Sequence, residues 1–156
     1  MIRGGLLTVL IVAFISILGC NSEKVPRLGR VTGTVTLDGQ PVPDASITFA
    51  GVNAGEPPSM AKTDGSGNYE LYYSRGHKGA TIGEHVVYIS TYQSATDDNP
   101  QAKKETIPQK YNGKSELKET VKRGTNKIDF ALKGGEIVQP DQIEQQQKGK
   151  KKVKGK

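Results

Sequence analysis

The sequence predicts an all-β fold, a single seven-stranded antiparallel sandwich, and three observations carry that expectation. Its 19 glycines and 8 prolines are spread through the middle of the chain as turn punctuation rather than gathered in one block. Between those turns, apolar and polar residues alternate over runs of strand length. No sustained helical periodicity appears from Arg30 to Leu132, with only residues 115–123 ambiguous.

The chain divides into residues 1–19, 20–29, 30–133 and 134–156. The first segment opens with Arg3 and continues as an apolar run from Leu6 to Leu18, broken only by Thr8 and Ser16. As a helix that run spans roughly 20 Å, short of the roughly 30 Å of a bilayer core, so it reads as an export signal and not a permanent span. It ends in Ile17-Leu18-Gly19-Cys20, which resembles the bacterial lipobox. That resemblance implies cleavage between Gly19 and Cys20, a diacylglycerol on the Cys20 thiol and an acyl group on the freed amine. Two or three chains at about 0.8 kcal/mol per buried methylene make a stable anchor where one is marginal. The alternatives are an uncleaved anchor helix or an ordinary cysteine just past a cleavage site. As the chain's one cysteine, Cys20 has no internal disulfide partner. Asn21, where inner-membrane lipoproteins of the enteric type carry aspartate, implies delivery to the outer membrane. Residues 21–29 are polar, with Pro26 and Gly29, and read as a tether.

The sandwich begins where alternation begins. Val31, Gly33, Val35 and Leu37 share one face of a first strand and Thr32, Thr34 and Thr36 the other. Asp38-Gly39 turns the chain into a second strand with Ala45, Ile47 and Phe49 inward. A short third strand covers residues 60–63, and the run Thr63 to Asn68 turns into a fourth carrying Tyr69, Leu71 and Tyr73 on one face. The fifth has His85, Val87 and Ile89 inward, residues 117–122 form the sixth, and Ile128, Phe130 and Leu132 mark the seventh. Seven short strands in about 100 residues suit two packed sheets. The polar stretch 91–111 is an insertion, expected as an exposed loop.

Four motifs occur in order: Val31-Thr32-Gly33-Thr34-Val35, Gly39-Gln40-Pro41-Val42-Pro43-Asp44-Ala45, Thr63-Asp64 to Asn68-Tyr69-Glu70-Leu71, and Gly83-Glu84-His85-Val86-Val87. Together they resemble the carboxypeptidase regulatory-like, transthyretin-like domains. The resemblance covers most of residues 30–132 and implies a transthyretin-like or immunoglobulin-like sandwich. It speaks of fold and turns, not of an activity. His85 stands where that family usually has an aromatic.

No constellation for catalysis is legible, and neither a metal nor a cofactor is expected. The only histidines are His77 and His85, too few for a zinc set once Cys20 is lipidated. Residues 64–70 lack the acidic alternation of a calcium loop and read as a hairpin turn. Ser66 has no identifiable base. The transthyretin-related hydroxyisourate hydrolases use histidines, an arginine and a terminal Tyr-Arg-Gly-Ser signature, whereas this chain ends in lysines. An enzymatic reading would need His77 or His85 to share a cleft with an acid and an arginine. Residues 31–37 hold no lysine for the internal isopeptide bond of adhesin sandwiches.

Of the net charge of +6, +4 lies in residues 141–156, where six lysines face Asp141 and Glu144. The rest is nearly neutral, which argues against a nucleic-acid face. The glutamine- and lysine-rich tail is expected to be disordered. The function expected is therefore a non-enzymatic, membrane-tethered protein-binding or scaffold module of the cell envelope. A carbohydrate-binding lipoprotein is the alternative. With no tryptophan, a sugar platform would draw on Tyr72, Tyr73, Tyr88, Tyr92 and Tyr111, and an exposed stripe of Tyr72, Tyr88 and Tyr92 would favour it.

Overall fold

The computed structural model describes residues 25–53, 55–96 and 100–140. Cleavage at Gly19, lipidation at Cys20 and the basic run beyond residue 140 fall outside the described residues. Twelve short strands are present among them: β1 (Leu28–Leu37), β2 (Gln40–Pro41), β3 (Ser46–Gly51), β4 (Ser59–Lys62), β5 (Asn68–Glu70), β6 (Tyr72–Tyr73), β7 (His77–Lys78), β8 (Ala80–Thr81), β9 (Gly83–Ser90), β10 (Lys118–Val121), β11 (Thr125–Lys127) and β12 (Phe130–Leu132).

They form two sheets. One is built around β1, with β2, β5 and β8 antiparallel along one edge and β11 and β12 along the other. The second runs in the order β10-β9-β3-β4-β6-β7, antiparallel throughout. Val31 and Val35 from β1 meet Ile47, Phe49, Val87 and Ile89 from the second sheet in one core. The Phe49 ring lies edge-on to Phe130 at 6.2 Å between centroids, and Phe130 stacks on Tyr69 at the same distance. Each such side chain, fully buried, contributes about 1.5–3 kcal/mol. Alternation therefore works as expected in β1, β3 and β9, where every second residue enters the core.

The all-β class holds, but seven strands become twelve for local reasons. The expected fourth strand divides at Leu71: β5 pairs with β1 in the first sheet, and β6 pairs with β4 in the second. Leu71, fully buried, donates its N–H to the Val31 carbonyl at the crossing. The seventh divides at Ile128 and Asp129, and both parts run parallel to β1. Alternation fixes which face of a strand is buried and is silent on direction, and a crossing from β10 in one sheet to β11 in the other makes the parallel pairing reachable. The ambiguous stretch 115–123 contains β10. The tether also ends earlier than expected, because Leu28 and Gly29 already pair with Thr81 and Ala80.

Two turns depend on glycine. Gly67 closes the β4–β5 connection at φ +78°, and a Cβ there would stand 2.6 Å from the Val35 carbonyl oxygen. Gly33 lies mid-strand because the chain at Ile128 presses on it: a Cβ would meet the Ile128 carbonyl oxygen at 1.7 Å.

The insertion is only partly an exposed loop. Residues 94–96 and 100–102 are exposed, but Glu105, Ile107 and Pro108 are buried. The chain after β12 packs on it. Lys133 N–H donates to the Tyr111 hydroxyl, Gln109 N–H to the Glu136 carbonyl, and the Gln139 amide bonds both backbone groups of Glu105 at 2.9 Å. Residues 134–139 are thus part of the folded unit and not of a disordered tail, because they supply hydrogen bonds that the insertion's backbone needs once buried.

Candidate binding face

The second sheet buries one face and leaves the other to solvent, so its outward residues form a surface set by strand register alone. Tyr88 on β9 pairs with Thr48 on β3, Thr48 with Met60 on β4, Met60 with Tyr72 on β6, and Tyr72 with Lys78 on β7. Paired residues point to the same side, so these five make one row across the sheet. Met60 is 55% exposed, Tyr72 41% and Tyr88 37%. Three strand spacings separate the two tyrosines, about 14 Å. The neighbouring row carries Lys118, Val86 and Ala50, of which Val86 and Ala50 are half-buried.

A charged cluster rims the Tyr72 end. Glu70 receives Arg30 Nε at 2.7 Å and Lys78 Nζ at 2.8 Å, and the Tyr72 hydroxyl approaches its second oxygen at 3.4 Å. The Lys78 and Arg30 hydrogen bonds hold the Glu70 carboxyl below the usual range, and Glu70 in turn raises Lys78. Lys78 Nζ stands 5.8 Å from the centre of the Tyr72 ring, a cation over an aromatic face. At the other corner Asp44 accepts from Lys62 at 3.1 Å. The face is therefore a largely apolar strip bordered at the Tyr72 end by compensated charges.

The tyrosines named from sequence separate into groups. Tyr72 and Tyr88 share the exposed row; Tyr92 lies past the end of β9, half-buried, its N–H bonded to Ser90 Oγ. Tyr73 is 8% exposed and belongs to the core. Tyr111 is half-buried against the core, with Lys110 Nζ 4.9 Å from its ring centre. The histidines are not brought together. His85 is buried, its ring 5.8 Å from Phe49, with Nδ1 at the Gly83 carbonyl and Nε2 at the Thr81 hydroxyl. His77 is exposed on β7, bonded to the Ser74 carbonyl. Asp64 spends its carboxylate on the N–H groups of Ser66 and Asn68, as a hairpin turn requires. Among the described residues no three His, Cys, Asp or Glu side chains converge.

Two features were missed in sequence. Met60, at the centre of the row, was assigned to a strand but not to a surface, although it shares its face of the strand with Lys62. Glu105 gave no signal at all, since a carboxylate in a lysine-rich stretch reads as solvated.

No family model matches the chain, and neither does any curated protein. Among solved structures, the chain is similar to part of a 9R-lipoxygenase from Cyanothece PCC8801, at 17% identity and a TM-score of 0.35. That match covers 69% of this chain and 17% of the lipoxygenase.

Proposed function

We propose that the chain is a lipid-anchored, non-enzymatic binding module of the bacterial cell envelope, fixed to the outer membrane through acylated Cys20 and presenting the open face of the β9 sheet to another envelope protein. The carrying observation is the Tyr88-Thr48-Met60-Tyr72 row, one line of paired residues across the open face in which Tyr88, Met60 and Tyr72 are exposed. The lipobox-like Ile17-Leu18-Gly19-Cys20 supports the anchor, and the ordered turn motifs support a carboxypeptidase regulatory-like, transthyretin-like sandwich of non-enzymatic type. Intact mass and membrane partition of the wild type and Cys20→Ala, expressed in a bacterium, test the reading. A chain starting at Cys20 with added acyl mass, both lost with membrane association in the variant, is expected. An unmodified cysteine in the wild type overturns the anchor.

The second reading, carbohydrate binding, is met only in part: of the three tyrosines whose exposed stripe would favour it, Tyr72 and Tyr88 share one row. Tyr92 stands apart from them. Retention on insoluble envelope polysaccharide that is lost in both Tyr72→Ala and Tyr88→Ala would select this reading over a protein partner.

A further inference from the structure

We infer that Asn112 is a site of self-modification, at which the folded chain converts its own side-chain amide to a carboxylate. Asn112 ends the 3-10 turn Gln109–Tyr111 with φ −122° and ψ −108°. That ψ nearly eclipses the Cα–Cβ bond with the peptide bond to Gly113, the arrangement a five-membered ring through Gly113 N and Asn112 Cγ needs. Gly113 N lies 2.6 Å from Asn112 Oδ1. Asn112 Nδ2 donates to the Ile107 carbonyl at 3.0 Å, which keeps the side-chain amide turned with its oxygen toward Gly113. Gly113 is exposed, and nothing lies within 4 Å of the place a Cβ would occupy, so water and hydroxide reach the turn. Reacting groups held this close exchange a search in solution for a unimolecular step.

The step balances without a cofactor. Hydroxide removes the Gly113 amide proton, leaving an anionic nitrogen beside the Asn112 side-chain amide. The Gly113 N–Cγ bond forms, the Cγ–Nδ2 bond breaks, and Nδ2 leaves as ammonia with a proton from water. Water then opens the cyclic imide at one of its two carbonyls, giving aspartate or isoaspartate. The product has lost the Nδ2 bond to Ile107, a fully buried residue of the insertion, and sets a carboxylate against that carbonyl. Modification thus adds one negative charge and loosens the turn from the core.

The test is incubation of the full-length protein in mildly alkaline buffer, folded and in urea, with peptide mapping and an isoaspartate-specific methyltransferase assay. Conversion at Asn112 several-fold faster in the folded chain than in the unfolded one is expected. In Gly113→Ala, whose added methyl meets open space, the folded rate falls by an order of magnitude while the melting curve is retained. A folded rate equal to or below the unfolded rate overturns the inference, as does conversion in Gly113→Ala at the wild-type rate.

Discussion

Thr91 donates both its backbone N–H and its hydroxyl to one oxygen of Glu105, each at 2.9 Å. The same Oε1 accepts the N–H groups of Thr106 and Ile107, and the other oxygen accepts Ser90 Oγ. Glu105, 4% exposed, thereby closes the insertion onto the end of β9. A buried carboxylate is tolerated here because donors surround it.

Glu105→Gln should destabilise the protein by about 3 kcal/mol, since the glutamine amide turns donors toward backbone donors and leaves some of them unpaired. Chemical denaturation of the two proteins measures this. A loss of less than about 0.5 kcal/mol would show that the anchor is dispensable.

The same contact predicts acid sensitivity. Burial pushes the Glu105 carboxyl up, but the hydrogen bonds from Ser90, Thr91 and Ile107 outweigh it and hold the group below its ordinary value of 4.5. A folded value below the unfolded one gives stability that is complete above the unfolded value and is lost as pH falls through the folded one. Stability should therefore fall below about pH 4.5 in the wild type. Asp129 adds to this trend: burial raises it, yet the hydroxyl and N–H of Thr34 bring it below its usual range. In Glu105→Gln the acid slope should be shallower. Urea titrations across pH compare them, and equal slopes would rule out Glu105 as a contributor.

Gly33→Ala should cost more than about 3 kcal/mol, because its methyl would overlap the Ile128 backbone rather than a mobile side chain. Retention of the wild-type melting temperature would mean that β1 and the chain at Ile128 are not in contact.

Tyr69→Phe should cost about 1 kcal/mol. The hydroxyl donates to the Ile128 carbonyl at 2.7 Å, whereas the ring keeps its stacking on Phe130. Burial, then the charges of Asp129 and Glu119, push this phenol far above the ordinary tyrosine range. Spectrophotometric titration should show one tyrosine that ionises only on alkaline unfolding, absent in the variant.

Tyr72→Ala and Tyr88→Ala should each cost about 1 kcal/mol, the loss of a cross-strand pair and, for Tyr72, of the Lys78 contact, and well short of a core truncation. A large loss in either would turn the row into a structural feature and remove it as a binding face.

Much of this was legible in sequence because a half-buried strand writes its pleat into the residue pattern. Val31, Val35, Ile47, Phe49, Val87 and Ile89 all enter the core as their alternation predicts. His85 does so too, since its position in the alternation outweighs its polarity when Thr81 and the Gly83 carbonyl meet its ring. The division at Leu71 was hidden, because Tyr69, Leu71 and Tyr73 keep one period while their backbones pair with different sheets. The parallel course of β11 and β12 along β1 was hidden because alternation carries no strand direction. Of the candidate face, Tyr72 and Tyr88 were named, but their alignment depends on register across four strands, which no local pattern encodes. Glu105 was illegible because its donors come from residues 90, 91, 106 and 107, brought together only when the insertion folds back.

The parallel course of β12 along β1 has a mechanical meaning. Chain leads into β1 at Leu28 and leaves β12 at Leu132, beside Leu37 at the opposite end of β1. Tension between the two ends would load the β1–β11 and β1–β12 hydrogen bonds in shear, all at once, instead of peeling them singly. A module held at its start and pulled at its finish should yield in one high-force rupture under a single-molecule trap, and a series of small steps would contradict that geometry. The β1 sheet would thus resist a pull along its own length better than one that parts its strands sideways.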